Sequence, residues 1–148
     1  MKKIIFIISL FTTFTFSQTK PDKVVFPIST EYKMILKKSS AETSLCQNPI
    51  ILFRNKEHAI SGFDLNNYTS ASIKIAPNKL FVVMDYITKG YIQKEADSVH
   101  YENYHCVIVD IKKYKVVHQM QSDCGGKWNK QNQWVNNNIL LFDGNRKR

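Results

Sequence analysis

The sequence predicts a mainly β fold, a single antiparallel β-sandwich or small barrel-like domain, and three observations predict it. Runs rich in β-branched and aromatic residues, above all Lys79 to Tyr91, stand between turn-forming pairs such as Pro77-Asn78 and Asp143-Gly144. Val99 to Ile111 and Val116 to Gln121 flank the polar stretch Lys112 to Lys115 as the arms of a hairpin would. No heptad, long amphipathic helical stripe or repeat period occurs.

The elements follow in order. Met1 to Ser17 reads as an export signal: Lys2 and Lys3 give the positive start and Ile4 to Phe16 the apolar run. Thr15 and Ser17 place small residues at a cleavage site before Gln18. A membrane anchor needs about 20 apolar residues, and this run is shorter and broken by Ser9, Thr12, Thr13 and Thr15. No cysteine near the site offers a lipid attachment, so the expected product is secreted or periplasmic. Residues 18–30 read as an irregular lead-in, 31–143 as one β-rich domain and 144–148 as a basic tail. Glu31 to Lys38 fits either a strand or one short N-terminal helix. Ile50 to Arg54 is a compact apolar run, and His58 to Thr69 a polar loop crossing. Ser72 to Ile75 alternates as a short strand, and Gln93 to Ser98 reads as a polar connection between two long strands. Gln133 to Phe142 closes the chain as a final strand. The prolines, Pro49 included, and the glycines, Gly90 included, stand where elements are expected to end.

The hairpin can be tested by register. With Lys112 to Lys115 as its tip, Ile111 faces Val116, Val109 faces His118 and Val107 faces Met120, which leaves one face almost wholly apolar. The other face then carries Cys106, Ile108, Asp110, Val117, Gln119 and Gln121.

The chain of 148 residues carries a formal charge of +9, which becomes +7 once Lys2 and Lys3 leave with the signal. Its lysines are scattered, with tight runs only at Lys112-Lys113 and Arg146-Lys147-Arg148, so solvated faces account for most of them. No nucleic-acid-binding string occurs. Three cysteines in an oxidising compartment imply one disulfide and one thiol left over. The expected pair is Cys46 with Cys124, a long loop worth roughly 4 kcal/mol of chain entropy. Cys106 with Cys124 is the alternative.

Asp123-Cys124-Gly125-Gly126 is the one string with catalytic character, because a cysteine on a glycine turn could act as a nucleophile beside bare N–H groups. It resembles the Asp-Cys-small-Gly string of cell-wall cysteine peptidases. It departs from them in lacking an apolar helix after the cysteine and a histidine downstream. A cysteine hydrolase would have to recruit His100, His105 or His118, and the staple reading of Cys124 is preferred, with no catalytic residue assigned. A metal site drawn from His58, His100, His105 and His118 with Asp97, Glu102 and Asp110 is disfavoured, since His100 and His105 project from opposite faces of one strand. No cofactor is implied. Asn67-Tyr68-Thr69 fits the glycosylation pattern.

Trp128 and Trp134 lie among Asn129, Gln131, Asn132 and Asn136 to Asn138, which reads first as a polar loop pinned by core tryptophans and otherwise as the flat rings and amides of a sugar-binding platform or a protein interface. Tyr101 and Tyr104, with Tyr86 and Tyr91, either extend that surface along the long strands or simply cover the sheet. The leading expectation is an exported, non-catalytic domain that binds a protein partner, of inhibitor, immunity or envelope accessory type. A carbohydrate-binding module using Trp128 and Trp134 is the alternative.

Overall fold

In the computed structural model, residues 22–40, 44–94 and 97–146 are described. Among them the chain is all β, built of antiparallel sheets of which none closes into a barrel. The export signal, the first four residues of the lead-in (18–21) and the last two residues of the basic tail lie outside the described residues.

The first sheet is a meander. It runs through β1 (Lys23–Pro27), β2 (Tyr32–Lys38), β3 (Leu45–Phe53) and β4 (Lys56–Ala59), with the short β5 (Thr69–Ser70) also on β3. Glu31 to Lys38 is therefore strand rather than helix, and part of the expected lead-in is strand as well. Val24 and Phe26 of β1 sit opposite Leu36 and Met34, which supplies the cross-strand packing that a five-residue strand lacks alone. Pro49 does not end an element. Register shifts where Asn48 and Pro49 oppose Leu36, and a bulge is one of the few places a strand tolerates proline. Arg54 (φ 47°) and Asn55 (φ 68°) form the left-handed pair of a tight hairpin turn into β4.

The second sheet holds β6 (Ile73–Ile75), β7 (Phe81–Lys94), β8 (Asp97–Asp110) and β9 (Lys115–Met120) in that order. Strands β7 and β8 pair without a break from Phe81↔Asp110 to Lys94↔Asp97. The expected connection at Gln93 to Ser98 is therefore largely ladder, and Gly90 lies inside a strand. The ring of Tyr101 covers that glycine so closely that a Cβ would stand 2.7 Å from it.

The β8–β9 register differs from the expected one. Asp110 pairs with Lys115, Val109 with Val116 and Ile108 with His118, with a bulge between Ile108 and Val109. The cause is local: Asp110 Oδ1 accepts the N–H groups of Lys112 and Lys113, both at 3.0 Å, and Tyr114 turns left-handed (φ 51°). That loop closes earlier than a tip at Lys112 to Lys115, and the bulge moves His118 from the expected Val109 face to the side of Phe142.

The third sheet comprises β10 (Lys127–Trp128), β11 (Gln133–Asn136) and β12 (Ile139–Asp143). The expected final strand is thus a hairpin. Its turn is Asn137 (φ 47°) and Asn138 (φ 64°), a pair of residues that tolerates left-handed backbone.

Cores form on both sides of the second sheet. Val82, Met84, Val107 and Val109 meet Met34, Leu36, Cys46 and Ile51 of the first sheet. Val83, Cys106 and Ile108 meet Trp134 and Phe142 of the third. The continuous run Cys106 to Asp110 is explained by this arrangement, since a strand covered on both faces needs no polar alternation. Each such side chain contributes about 1.5–3 kcal/mol of burial, which makes the β7–β8 centre the anchor of the fold.

Candidate functional site: the projecting β arm

The two tryptophans do not form an open platform. Trp134 is 1% exposed and belongs to the core between the second and third sheets. Trp128 is half-buried, packs edge-on to Trp134 with centroids 5.4 Å apart, and donates its Nε1–H to the Lys74 carbonyl at 2.9 Å. Asn129 and Asn132 are spent on the loop itself. Asn129 Oδ1 accepts the N–H groups of Gln131 and Gln133, and Asn132 Oδ1 accepts that of Asn78. The amides that suggested a sugar site are turn-formers holding Trp128 in place.

The Asp123-Cys124-Gly125-Gly126 string is structural too. Cys124 is bonded to Cys106, with Cα atoms 5.1 Å apart, and Cys46 is the buried thiol left over. The expected Cys46–Cys124 pair does not form because Cys46 packs on the opposite side of the second sheet. Cys106 opposes Met120, and the bend after it returns Cys124 to the same face. Burial pushes the Cys46 thiol up, with Lys38 opposing weakly, so it is protonated and unreactive at neutral pH. Gly126 is required by packing, since a Cβ there would meet the Trp134 ring and the Val135 carbonyl at 2.7 Å. Lys74 Nζ donates to the carbonyls of Cys124 and Gly126 at 2.6 and 3.1 Å, which seals this turn onto β6. A cleft of about 260 Å³ opens beside it, lined in part by Asp85 and Asp123. Asp123 there accepts the Gly125 N–H, and Asp85 the Ser70 hydroxyl. Among the described residues no His, Cys, Asp and Glu side chains group as metal ligands. Asn67 and Thr69 of the glycosylation pattern are both buried.

What stands open is the far half of β7 and β8. Strand β6 covers β7 only to Met84 and the Tyr68 bridge only to Ile87, while β9 covers β8 only from Cys106 onward. Beyond these points the two strands run on as a ribbon that no other described strand joins, with residues 91–94 and 97–104 exposed on both faces. Tyr101 and Tyr104 lie here, together with Tyr91, Ile92 and Val99, all exposed; Tyr91 reaches 73%. Pairing sorts them by face. Ile92, Val99 and Tyr101 share one, and Tyr91, His100, Glu102 and Tyr104 share the other. Ile92 and Val99 escape sequence reading because alternation marks them as inward-facing until one knows that no other described strand covers this end. Equal strand lengths on either side of a short polar connector are the signal that could have shown an arm.

A clamp stiffens its base. Lys89 Nζ lies 2.7 Å from Glu102 and 5.5 Å from the centre of the Tyr68 ring, and the Tyr104 hydroxyl donates to Glu102 at 2.6 Å. The Lys89 hydrogen bond first, and then Tyr104, hold the Glu102 carboxyl below its ordinary value. A depressed carboxyl stabilises the fold at pH values above its unfolded pKa and loses that contribution as pH falls through the folded one. Replacing Lys89 with methionine should therefore raise the Glu102 titration midpoint followed by carboxyl NMR. An unchanged midpoint would show that the ion pair is absent in solution.

Among the described residues no helix is long and apolar enough to cross a membrane. Compared with family models, with curated proteins and with solved structures, the chain matches none.

Proposed function

We propose that this chain is an exported, non-catalytic domain that binds a protein partner, and that the β7–β8 arm is its contact element. The observation that carries the reading is the exposure of Tyr91, Ile92, Val99, Tyr101 and Tyr104 on a ribbon that neither neighbouring sheet covers. A two-stranded ribbon is marginally stable in water, and apolar residues on both its faces contribute little until something covers them. Tyrosines in such a setting are the side chains that most often anchor protein interfaces, because they bring area and a hydroxyl at low entropic cost. Export is supported by the leader-like Met1 to Ser17 and by the disulfide.

The test is comparative capture from envelope or culture extract. Tyr91→Ala with Ile92→Ser should lose a partner that the unaltered chain retains, with affinity weakened by about 30-fold, the equivalent of a 2 kcal/mol hot spot. Stability should move by less than about 0.5 kcal/mol, as at other exposed positions. A partner held equally well by this variant, or no specific partner at all, would overturn the proposal.

A further inference from the structure

We propose that the free edge of β8 pairs with the same edge of a second copy of this chain, joining two arms into one four-stranded antiparallel sheet. The inference rests on the arm being a contact element and adds the identity of one occupant. It leaves the β7 side of the arm for the partner proposed above.

The backbone sets which residues can bond. Ile87 of β7 exchanges both its N–H and C=O with Tyr68, on the side away from β8. Its opposite residue on β8 is Tyr104, so the Ile87–Tyr104 pair is the non-hydrogen-bonded kind and the even-numbered residues of β8 point their backbone groups away from β7. The ladder runs unbroken from there to Asp97, so Ser98, His100 and Glu102 present N–H and C=O groups outward. Among the described residues no strand pairs with this stretch of β8 on that side.

Charge then selects the edge and the register. The corresponding stretch of β7, Thr88 to Lys94, carries Lys89 and Lys94 and no acid, so two copies of it would bring like charges together. The β8 stretch carries the carboxylate acceptors Asp97 and Glu102 with the imidazole donors His100 and His105, so it can pair with itself through hydrogen bonds. About a two-fold axis at Tyr101, His100 faces Glu102 of the second copy, and Asp97 faces its His105. His100 and Glu102 then form a hydrogen-bonded pair, as the outward groups require, and Tyr101 meets its own copy at the close, non-hydrogen-bonded position where rings pack best. Centring the axis on Glu102 would oppose two carboxylates. Centring it on His100 would oppose two imidazoles. An isologous contact of this kind closes as a dimer and leaves no growing edge.

Sedimentation velocity on the purified, oxidised full chain across a concentration series is the direct test. A monomer–dimer equilibrium is expected for the unaltered chain. His100→Glu and Glu102→Lys should each weaken it more than about tenfold, the first by opposing two carboxylates across the seam and the second by removing the acceptor that faces His100. Mixed together, the two variants should associate again, since each then faces its opposite charge. Tyr101→Cys should cross-link to twice the chain mass on mild oxidation, because residues at the axis fall within disulfide reach, whereas Val99→Cys should not. A monomer at every concentration overturns the seam. So does a dimer indifferent to both charge variants, or one that cross-links through Val99→Cys instead. If the seam fails but partner capture still depends on Tyr91 and Ile92, the proposed function stands; loss of both removes the arm as a contact element.

Discussion

Truncating Trp134 to alanine should cost about 3–5 kcal/mol of folding stability, the range for emptying a fully buried aromatic site. Trp134 is 1% exposed, and its ring is the largest side chain between Val83, Cys106 and Ile108 on one side and Phe142 on the other. The neighbourhood cannot easily collapse into the space, because Gly126 has no side chain to move and the Cys106–Cys124 bond fixes the adjacent turn. Urea unfolding followed by circular dichroism is the measurement. A loss below about 1 kcal/mol, typical of a half-exposed ring, would contradict this placement. The result bears on function as well. Glycan retention lost in this variant would report unfolding, so Trp128→Ala is the informative probe of the sugar-binding alternative.

Removing the disulfide by Cys124→Ser should cost about 3 kcal/mol in the chain-entropy account, for a loop whose ends are 18 residues apart. The two losses should not simply add, since both loosen the same cluster. Thiol counting checks the pairing independently. The native oxidised chain should take up no thiol reagent, because Cys46 is buried and protonated. Unfolding without reductant should expose one thiol, at Cys46. Labelling of Cys124 in the native oxidised chain would remove the staple and restore the nucleophile as a reading.

Much of the fold could be read locally. Alternation in Ser72 to Ile75, the β-rich run after Lys79 and the hairpin around Lys112 all depend on neighbours two residues away or on one turn. Such patterns are written directly into the chain. The errors have a common physical origin. Bulges at Asn48-Pro49 and between Ile108 and Val109 shift register by one residue, and a shift of one changes which residues share a face. Asn137-Asn138 was legible as a turn in principle, but a run of amides reads equally well as a polar surface.

The candidate site shows the same division. Tyr101 and Tyr104 could be named from composition, and the structure places them on the arm; Trp134, chosen on the same grounds, lies in the core. An aromatic residue looks identical in sequence whether it is covered or not. Trp134 is covered because the third sheet that carries it folds back from residue 127 onward onto Val83, Cys106 and Ile108 of the second, whereas no other described strand reaches far enough to cover Tyr91.

By itself, then, the sequence determined the β class, most strand positions, the leader-like start and the requirement for one disulfide among three cysteines. Tertiary structure alone decided that Cys106 is the partner of Cys124, that the second sheet is buried on both faces, and that β7 and β8 outrun their neighbours. The reason is one of range. Strand propensity and turn chemistry act over a few residues, whereas coverage is set by packing between segments that are distant in the chain.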